Sequence, residues 1–209
     1  MAQNFSKGEA VSFGWNAIKS NLGFFIMLMI IVFAIFGVLS AIDGALKETA
    51  PFLSILVNLV STALNVLIGM GLIKISLKLC DGQKPGFGDL FSCAGLFWKN
   101  LAASLIYMAI ILLGTLLLIV PGIIWGIMFQ FCTYFIVDKG VGPIESLRNS
   151  AAATKGSKWN LFLFGLILGA VNLLGVLALI VGIFITIPLS MLATAYVYRK
   201  LSADYAPAA

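Results

Sequence analysis

Residues 22–42 read LGFFIMLMIIVFAIFGVLSAI and contain no charged side chain. A hydrocarbon core about 30 Å thick needs roughly 20 apolar residues in a helix, at about 1.5 Å each. This run is long enough to cross a bilayer and longer than the roughly 7–15 apolar residues of a signal peptide. Because residues 1–21 precede it as a polar to amphipathic segment, we interpret it as an uncleaved first transmembrane helix.

Five further apolar runs follow the first. They occupy residues 52–73, 101–120, 123–137, 161–181 and 183–198, and none contains a charged side chain. The chain is 61% apolar and 10% charged, whereas a soluble protein averages about half apolar and about a quarter charged. One soluble core cannot hide this excess, but lipid can. The sequence therefore predicts an all-α polytopic membrane protein, with residues 1–209 forming one membrane domain.

Short breaks pair the six runs into three hairpins. A polar loop from Asp43 to Pro51 separates the first two runs, Pro121-Gly122 separates the next two, and Gly182 separates the last two. Helices are required throughout, because lipid cannot satisfy free backbone polar groups. We expect six transmembrane helices arranged as three hairpins.

A motif of lysine, asparagine and leucine precedes each predicted hairpin. It occurs as Lys19-Ser20-Asn21-Leu22, Lys99-Asn100-Leu101 and Lys158-Trp159-Asn160-Leu161. Lysine and tryptophan suit a membrane entry, because each combines an apolar body with a polar tip. The stretches before the motifs are amphipathic, so we predict an interfacial amphipathic helix before each hairpin. The pattern indicates an internal repeat over residues 6–80, 86–138 and 143–201; the alternative is that any membrane entry selects these residue types.

The basic residues divide unequally between the two sides of such a membrane domain. Six spans put both termini on one side, and that side carries twelve of the thirteen lysines and arginines, all except Lys47. Cytoplasmic loops are enriched in these residues, so both termini are predicted to be cytoplasmic. We attribute the net charge of +5 to this topology rather than to nucleic-acid binding.

The residue types that usually carry catalysis or metal binding are scarce. Histidine is absent, and Cys80, Cys93 and Cys132 form no CxxC pair. Histidine is the commonest general base and metal ligand near neutral pH. We therefore expect no catalytic residues, no metal, no cofactor and no disulfide framework.

A basic group before the fifth run is a candidate lipid contact. Arg148, Lys155 and Lys158 lie where a lipid phosphate or a partner protein would meet the membrane surface. A base near an anionic membrane surface contributes about 1 kcal/mol of attraction. The alternative interpretation is a solvated face that only follows the charge asymmetry of the membrane.

Two sets of residues inside the spans share helix faces. Asn58, Ser61 and Asn65 would line a polar path or bind a ligand, or else form hydrogen bonds between helices. A second set would let two helices approach closely, either in a dimer or inside the bundle; its members are Gly165, Gly169 and Asn172.

The C-terminal part of the sequence resembles a known bacterial family. The resemblance rests on Pro121-Gly122-Ile123, on the segments 135–138 and 142–150, and on Thr154-Lys155-Gly156, Trp159, Gly175, Pro188 and Tyr198-Arg199-Lys200-Leu201. These residues are similar to the membrane domain of some bacterial glycerophosphodiester phosphodiesterases and to related stand-alone inner-membrane proteins of unknown function. The resemblance implies a bacterial cytoplasmic membrane and a lipid-related role. It implies no catalytic residue within this domain.

Two functions are consistent with these features. The first is a non-enzymatic inner-membrane protein that organises lipid or a partner protein, with membrane lipids, a membrane protein or further copies of the chain as partners. The second is a small transporter or channel for an uncharged or apolar solute. A water-sized cavity beside Asn58, Ser61 and Asn65 would favour the second, whereas packed side chains there would remove most of its support.

Overall fold

The computed structural model describes residues 5–177 and 182–203 and contains nine α-helices and no strand within them. The helices are α1 Lys7–Ser20, α2 Leu22–Leu46, α3 Pro51–Cys80, α4 Phe97–Leu117, α5 Ile119–Phe129, α6 Cys132–Lys139, α7 Pro143–Ala153, α8 Lys158–Leu177 and α9 Ile183–Ser202. Two short 3₁₀ turns, Phe87–Leu90 and Ala94–Leu96, precede α4. The all-α prediction is confirmed.

Five helical segments are long and apolar enough to cross a membrane. They are Leu22–Leu46, Pro51–Cys80, Phe87–Leu116, Val120–Lys139 and Lys158–Leu177. Large apolar side chains on their outer faces are strongly exposed, among them Phe52, Leu116 and Leu174. Soluble monomers rarely expose contiguous apolar surface on this scale. The chain is therefore a membrane protein, and these exposed faces are apolar enough to meet lipid.

The sixth predicted span, α9, differs from the other five because it lies inside the bundle. It packs against α1, α2, α3 and α8. Leu192, Ala193, Ala195, Val197 and Tyr198 are fully buried within the two apolar clusters of the core. Contacts between helices in a membrane favour small and polar side chains, which explains why α9 is less apolar than the lipid-exposed α2.

Helix α1 packs on α9, and Ala10, Gly14 and Ile18 form its buried face. Gly14 permits the contact, because a Cβ atom there would lie 2.8 Å from the Leu189 carbonyl oxygen. Trp15, on the same helix, stays exposed. The predicted helix before the first hairpin is therefore present, but its buried face packs against α9.

The predicted interfacial helix before α4 is instead the pair of 3₁₀ turns. Gly86, Gly88 and Gly95 disfavour an α-helix here, because glycine is costly in a helix interior. The turns bring the Leu90 backbone against Gly71 of α3, where a Cβ atom would overlap it. The third predicted helix is present as α7, which begins at Pro143, a residue that is common at the first helical position.

Two predicted turns are displaced. The break between α4 and α5 is at Leu118, which is extended, with φ −165° and ψ 144°. Pro121 and Gly122 instead lie in the first turn of α5, where a missing N–H costs no helical hydrogen bond. Helix α2 continues to Leu46 and α3 starts at Pro51, so the first loop is shorter than predicted.

The fourth predicted span is not one continuous helix. Helix α5 ends at Phe129 and α6 starts at Cys132, which divides the predicted run 123–137. Gly182 directly precedes α9, as predicted, and residues 178–181 of the fifth run lie outside the described residues. The internal repeat stays a prediction.

Candidate functional site

An apolar crevice of about 320 Å³ lies between α5 and α8. One charged residue, Lys158, is among the side chains that line it. The lining residues are Val120, Ile123, Ile124, Ile127, Lys158, Trp159 and Phe162. Two other surface crevices, between α4 and α5 and between α2 and α3, have no charged residue in their lining. The α5–α8 crevice therefore combines an apolar wall with a cation.

Lys158 is the first residue of α8 and is half-buried. Its ammonium nitrogen lies 3.6 Å from the Met128 sulfur, which is a weak hydrogen-bond acceptor. In the part of the chain that the structure describes, no carboxylate forms an ion pair with Lys158. Because a partly buried cation without a counter-ion loses hydration and gains little in return, this position favours an anionic ligand.

The other two predicted contacts, Arg148 and Lys155, lie on the segment that leads into α8. Arg148 is exposed on α7, and Lys155 is exposed in the tight turn after it. Gly156 makes that turn, with φ +84°, a backbone conformation that glycine adopts most readily. Neither base forms an ion pair within residues 5–177 and 182–203. The structure thus places Arg148 in α7, Lys155 in the turn after it and Lys158 at the start of α8.

Hydrogen bonds between α7 and the α5–α6 break fix the segment that leads into α8. The Phe131 N–H donates to the Ser150 hydroxyl (3.1 Å), which donates to the Met128 carbonyl (2.8 Å). The Thr154 hydroxyl lies 3.2 Å from the same carbonyl. Ser150 and Thr154 are fully buried, so they supply partners that the broken helix lacks.

Replacing Ser150 with alanine is expected to lower the free energy of unfolding in detergent micelles by about 1–3 kcal/mol, because the buried Phe131 N–H loses its acceptor. Denaturant titration followed by circular dichroism measures the change. Ser92→Ala is the matched control, since Ser92 is exposed and its hydroxyl contacts only adjacent groups, the Asp89 carbonyl at 2.9 Å and the Cys93 sulfur at 3.8 Å. Equal stability of the two variants would contradict the role of Ser150.

A second polar cluster joins the ends of α3, α6 and α9. Arg199 donates to both oxygens of Asp138, each at 2.8 Å, and to Asp81 at 2.6 Å. The Tyr198 hydroxyl donates to Asp138 at 2.9 Å. We call Arg199, Asp138, Asp81 and Tyr198 the arginine clamp. Both acids are paired with a residue of the same chain, so we assign the clamp a structural role.

The sequence contains signals for both polar clusters, the arginine clamp and the hydrogen bonds of Ser150 and Thr154, although neither was predicted. Asp81 and Asp138 each follow the end of an apolar run, and Arg199 follows the last one. Three charges at equivalent ends of three helices indicate an ion cluster. Ser150 and Thr154 follow Leu147 at helical spacing. Because they are polar, the sequence did not predict that this face is buried.

The predicted polar face of α3 points outward. Asn58 is exposed and donates to Asp43 (2.7 Å) and to the Ser54 carbonyl (2.9 Å). Ser61 is half-buried and donates to the Val57 carbonyl (2.8 Å), while Asn65 is exposed. None of these three side chains lines the crevices described above. The cavity that a transporter would need beside them is not among these crevices.

The predicted small-residue face of α8 is divided. Gly165 and Gly169 are exposed, and nothing lies within 4 Å of where their Cβ atoms would be. Asn172 instead faces the bundle and donates to the Ser190 hydroxyl of α9 (2.9 Å). The glycines are therefore not used in packing the described helices.

No group of three or more His, Cys, Asp or Glu residues that could hold a metal ion occurs among residues 5–177 and 182–203. The three cysteines are free thiols, and two of them, Cys93 and Cys132, are buried.

Comparison with known proteins identifies a family. Residues 84–206, more than half of the chain, match the model of a domain of unknown function, DUF7847. The chain belongs to the DUF7847 family. Uncharacterized protein Rv2560 of Mycobacterium tuberculosis is 26% identical over 228 aligned positions, which cover 96% of this chain and 70% of the relative. Uncharacterized protein Mb2590 of Mycobacterium bovis is similar to the same extent.

No solved structure matches this DUF7847 chain. The descriptions of the family and of these relatives do not mention glycerophosphodiester phosphodiesterases. The resemblance to the membrane domain of those enzymes therefore stays a prediction.

Proposed function

We propose that this DUF7847 protein is a non-enzymatic membrane protein that holds an anionic phospholipid in the α5–α8 crevice. The observation that carries the proposal is the half-buried ammonium of Lys158, which has no ion pair within the described residues and lies beside a wall of apolar side chains. A phospholipid has matching parts, since its phosphate is anionic and its acyl chain is apolar. Trp159 suits the level of the headgroups, where tryptophan is enriched.

The remaining bases extend the attraction for such a lipid. Arg148 and Lys155 are exposed and have no ion pair within the described residues. A basic residue near an anionic membrane surface contributes about 1 kcal/mol. Together with Lys158, they would favour anionic over zwitterionic lipid.

The proposal includes a topology with six spans. Helix α9 would be the sixth span, enclosed by the others, so that α2–α3, α4–α6 and α8–α9 form three hairpins. Twelve of the thirteen basic residues then lie on one side, which supports cytoplasmic termini. The mycobacterial relatives support a bacterial cell membrane as the location.

The test follows quenching of Trp159 by brominated lipid. Trp15, Trp98 and Trp125 are replaced by phenylalanine, so that Trp159 is the only tryptophan. The protein is then reconstituted in vesicles of phosphatidylglycerol and phosphatidylcholine in which only one of the two lipids is brominated. We expect stronger quenching by the brominated anionic lipid at equal mole fraction. In the triple variant Arg148→Gln, Lys155→Gln, Lys158→Gln, we expect this selectivity to fall by at least about 10-fold, because three attractions of about 1 kcal/mol each are removed.

The matched control carries Lys19→Gln, Lys84→Gln and Lys200→Gln, which remove the same charge from exposed positions away from the crevice. Its selectivity for phosphatidylglycerol should stay close to that of the starting protein. Equal losses in both triple variants would show a general surface attraction and would overturn the proposed site.

A further inference from the structure

Asn65 places a carboxamide near the middle of the apolar part of α3. It lies eleven residues after Ser54, which bonds Asp43 at one end of the α2–α3 pair, and nine residues before Lys74. At about 1.5 Å per residue, these polar groups are about 16 Å and about 14 Å away along the helix. In a hydrocarbon core about 30 Å thick, Asn65 is therefore close to the midplane.

The Asn65 side chain differs from its polar neighbours because it has no hydrogen-bond partner in the part of the chain that the structure describes. Asn58 bonds Asp43 and the Ser54 carbonyl, and Ser61 bonds the Val57 carbonyl. Asn65 is exposed, and within residues 5–177 and 182–203 its carboxamide forms no hydrogen bond. A polar group left unsatisfied in hydrocarbon costs several kcal/mol, so a partner outside the single chain is favoured.

The surface around Asn65 allows another helix to approach closely. Asn58, Thr62, Asn65 and Gly69 follow one another at spacings of four, three and four, which puts them on one stripe of α3. The Thr62 hydroxyl is satisfied by the Asn58 carbonyl at 2.8 Å. Nothing lies within 4 Å of where a Gly69 Cβ atom would be. We call these four residues the α3 stripe.

We propose that the α3 stripe of a second copy of this chain covers this surface and that the two Asn65 side chains bond each other. Two copies inserted in the same orientation are related by a two-fold axis along the membrane normal, which puts identical residues at identical depth. A carboxamide has both N–H donors and a carbonyl acceptor, so a symmetric pair satisfies itself. Lipid tails offer neither group at that depth, and an unrelated partner would need a polar side chain at the same level.

The first experiment measures association in vesicles. Chains labelled with donor or acceptor fluorophores are diluted with lipid, and energy transfer gives the dissociation constant. We expect a reversible dimer for the natural sequence, an about 10-fold weaker dimer for Asn65→Leu, and an affinity near the natural one for Asn65→Gln, which keeps the carboxamide. Leu56→Ala is the control. Leu56 precedes Asn65 by nine residues and therefore lies on the opposite side of α3.

The second experiment locates the interface directly. Gly69→Cys and Leu56→Cys are made separately in a chain whose Cys80, Cys93 and Cys132 are replaced by alanine, and both are oxidised in membranes. We expect a disulfide-linked dimer from Gly69→Cys and little from Leu56→Cys. A monomeric natural sequence, an Asn65→Leu variant that dimerises with unchanged affinity, or cross-linking only through residue 56 would each overturn the proposal.

Discussion

Arg199→Ala is expected to lower the free energy of unfolding in detergent micelles by about 2–4 kcal/mol. Asp138, whose side chain is only 14% exposed, would lose both hydrogen bonds from the guanidinium, and Asp81 would lose its ion pair. Removing one partner of a buried pair costs about 3–5 kcal/mol, and we expect less here because Arg199 is 29% exposed. Thermal and denaturant unfolding followed by circular dichroism measure the loss.

Two further variants separate the clamp from general charge effects. Arg199→Lys should recover only part of the stability, because a single ammonium does not reproduce the planar fork that bonds both oxygens of Asp138 and also Asp81. Lys200→Ala removes a neighbouring charge that is exposed and should change stability by less than about 0.5 kcal/mol. If Arg199→Ala and Lys200→Ala were equally stable, the arginine clamp would not hold the three helix ends together.

Gly71→Val is expected to lower the free energy of unfolding by about 3 kcal/mol. A side chain on Gly71 would overlap the backbone of Leu90, which is buried, and backbone cannot move aside as a flexible side chain can. The 3₁₀ turns are also tied to α3 by the ion pair of Lys78 with Asp89 at 2.6 Å. We therefore expect the substitution to strain this contact, with destabilisation measurable by the same unfolding experiments.

Gly37→Val is the matched control for Gly71→Val. Gly37 lies inside α2, and nothing is within 4 Å of where its Cβ atom would be. It should therefore retain nearly the stability of the natural sequence. A Gly71→Val protein as stable as the Gly37→Val protein would mean that the 3₁₀ turns can leave α3 without cost.

Apolar length predicted most helices of the fold but few of its breaks. A run such as 22–42 is sufficient to predict α2, because crossing hydrocarbon requires length and little else. The break at Leu118 has no sequence signal of its own, and Pro121-Gly122 attracted the prediction because proline and glycine usually mark turns. The 3₁₀ turns before α4 depend on the fit of Leu90 to Gly71, which is a tertiary contact that periodicity does not contain.

The candidate site was predicted only in part, for the same physical reason. The spacing of Arg148, Lys155 and Lys158 indicated one basic segment, and the structure places them in α7, in the turn after it and at the start of α8. The crevice beside Lys158 depends on how α5 packs against α8, which the spacing along the chain does not specify. The sequence likewise grouped Asn65 with Asn58, and only the hydrogen bonds of Asn58 distinguish the two.

Cysteine accessibility in intact cells tests the membrane arrangement most directly. Lys47→Cys, Lys84→Cys and Lys155→Cys each introduce a thiol at an exposed position of the chain whose own three cysteines are replaced by alanine. A membrane-impermeant maleimide added outside the cells should label residue 47 and should reach residues 84 and 155 only after the membrane is opened. Labelling of residues 47 and 155 from the same side of a closed membrane would contradict six spans with cytoplasmic termini.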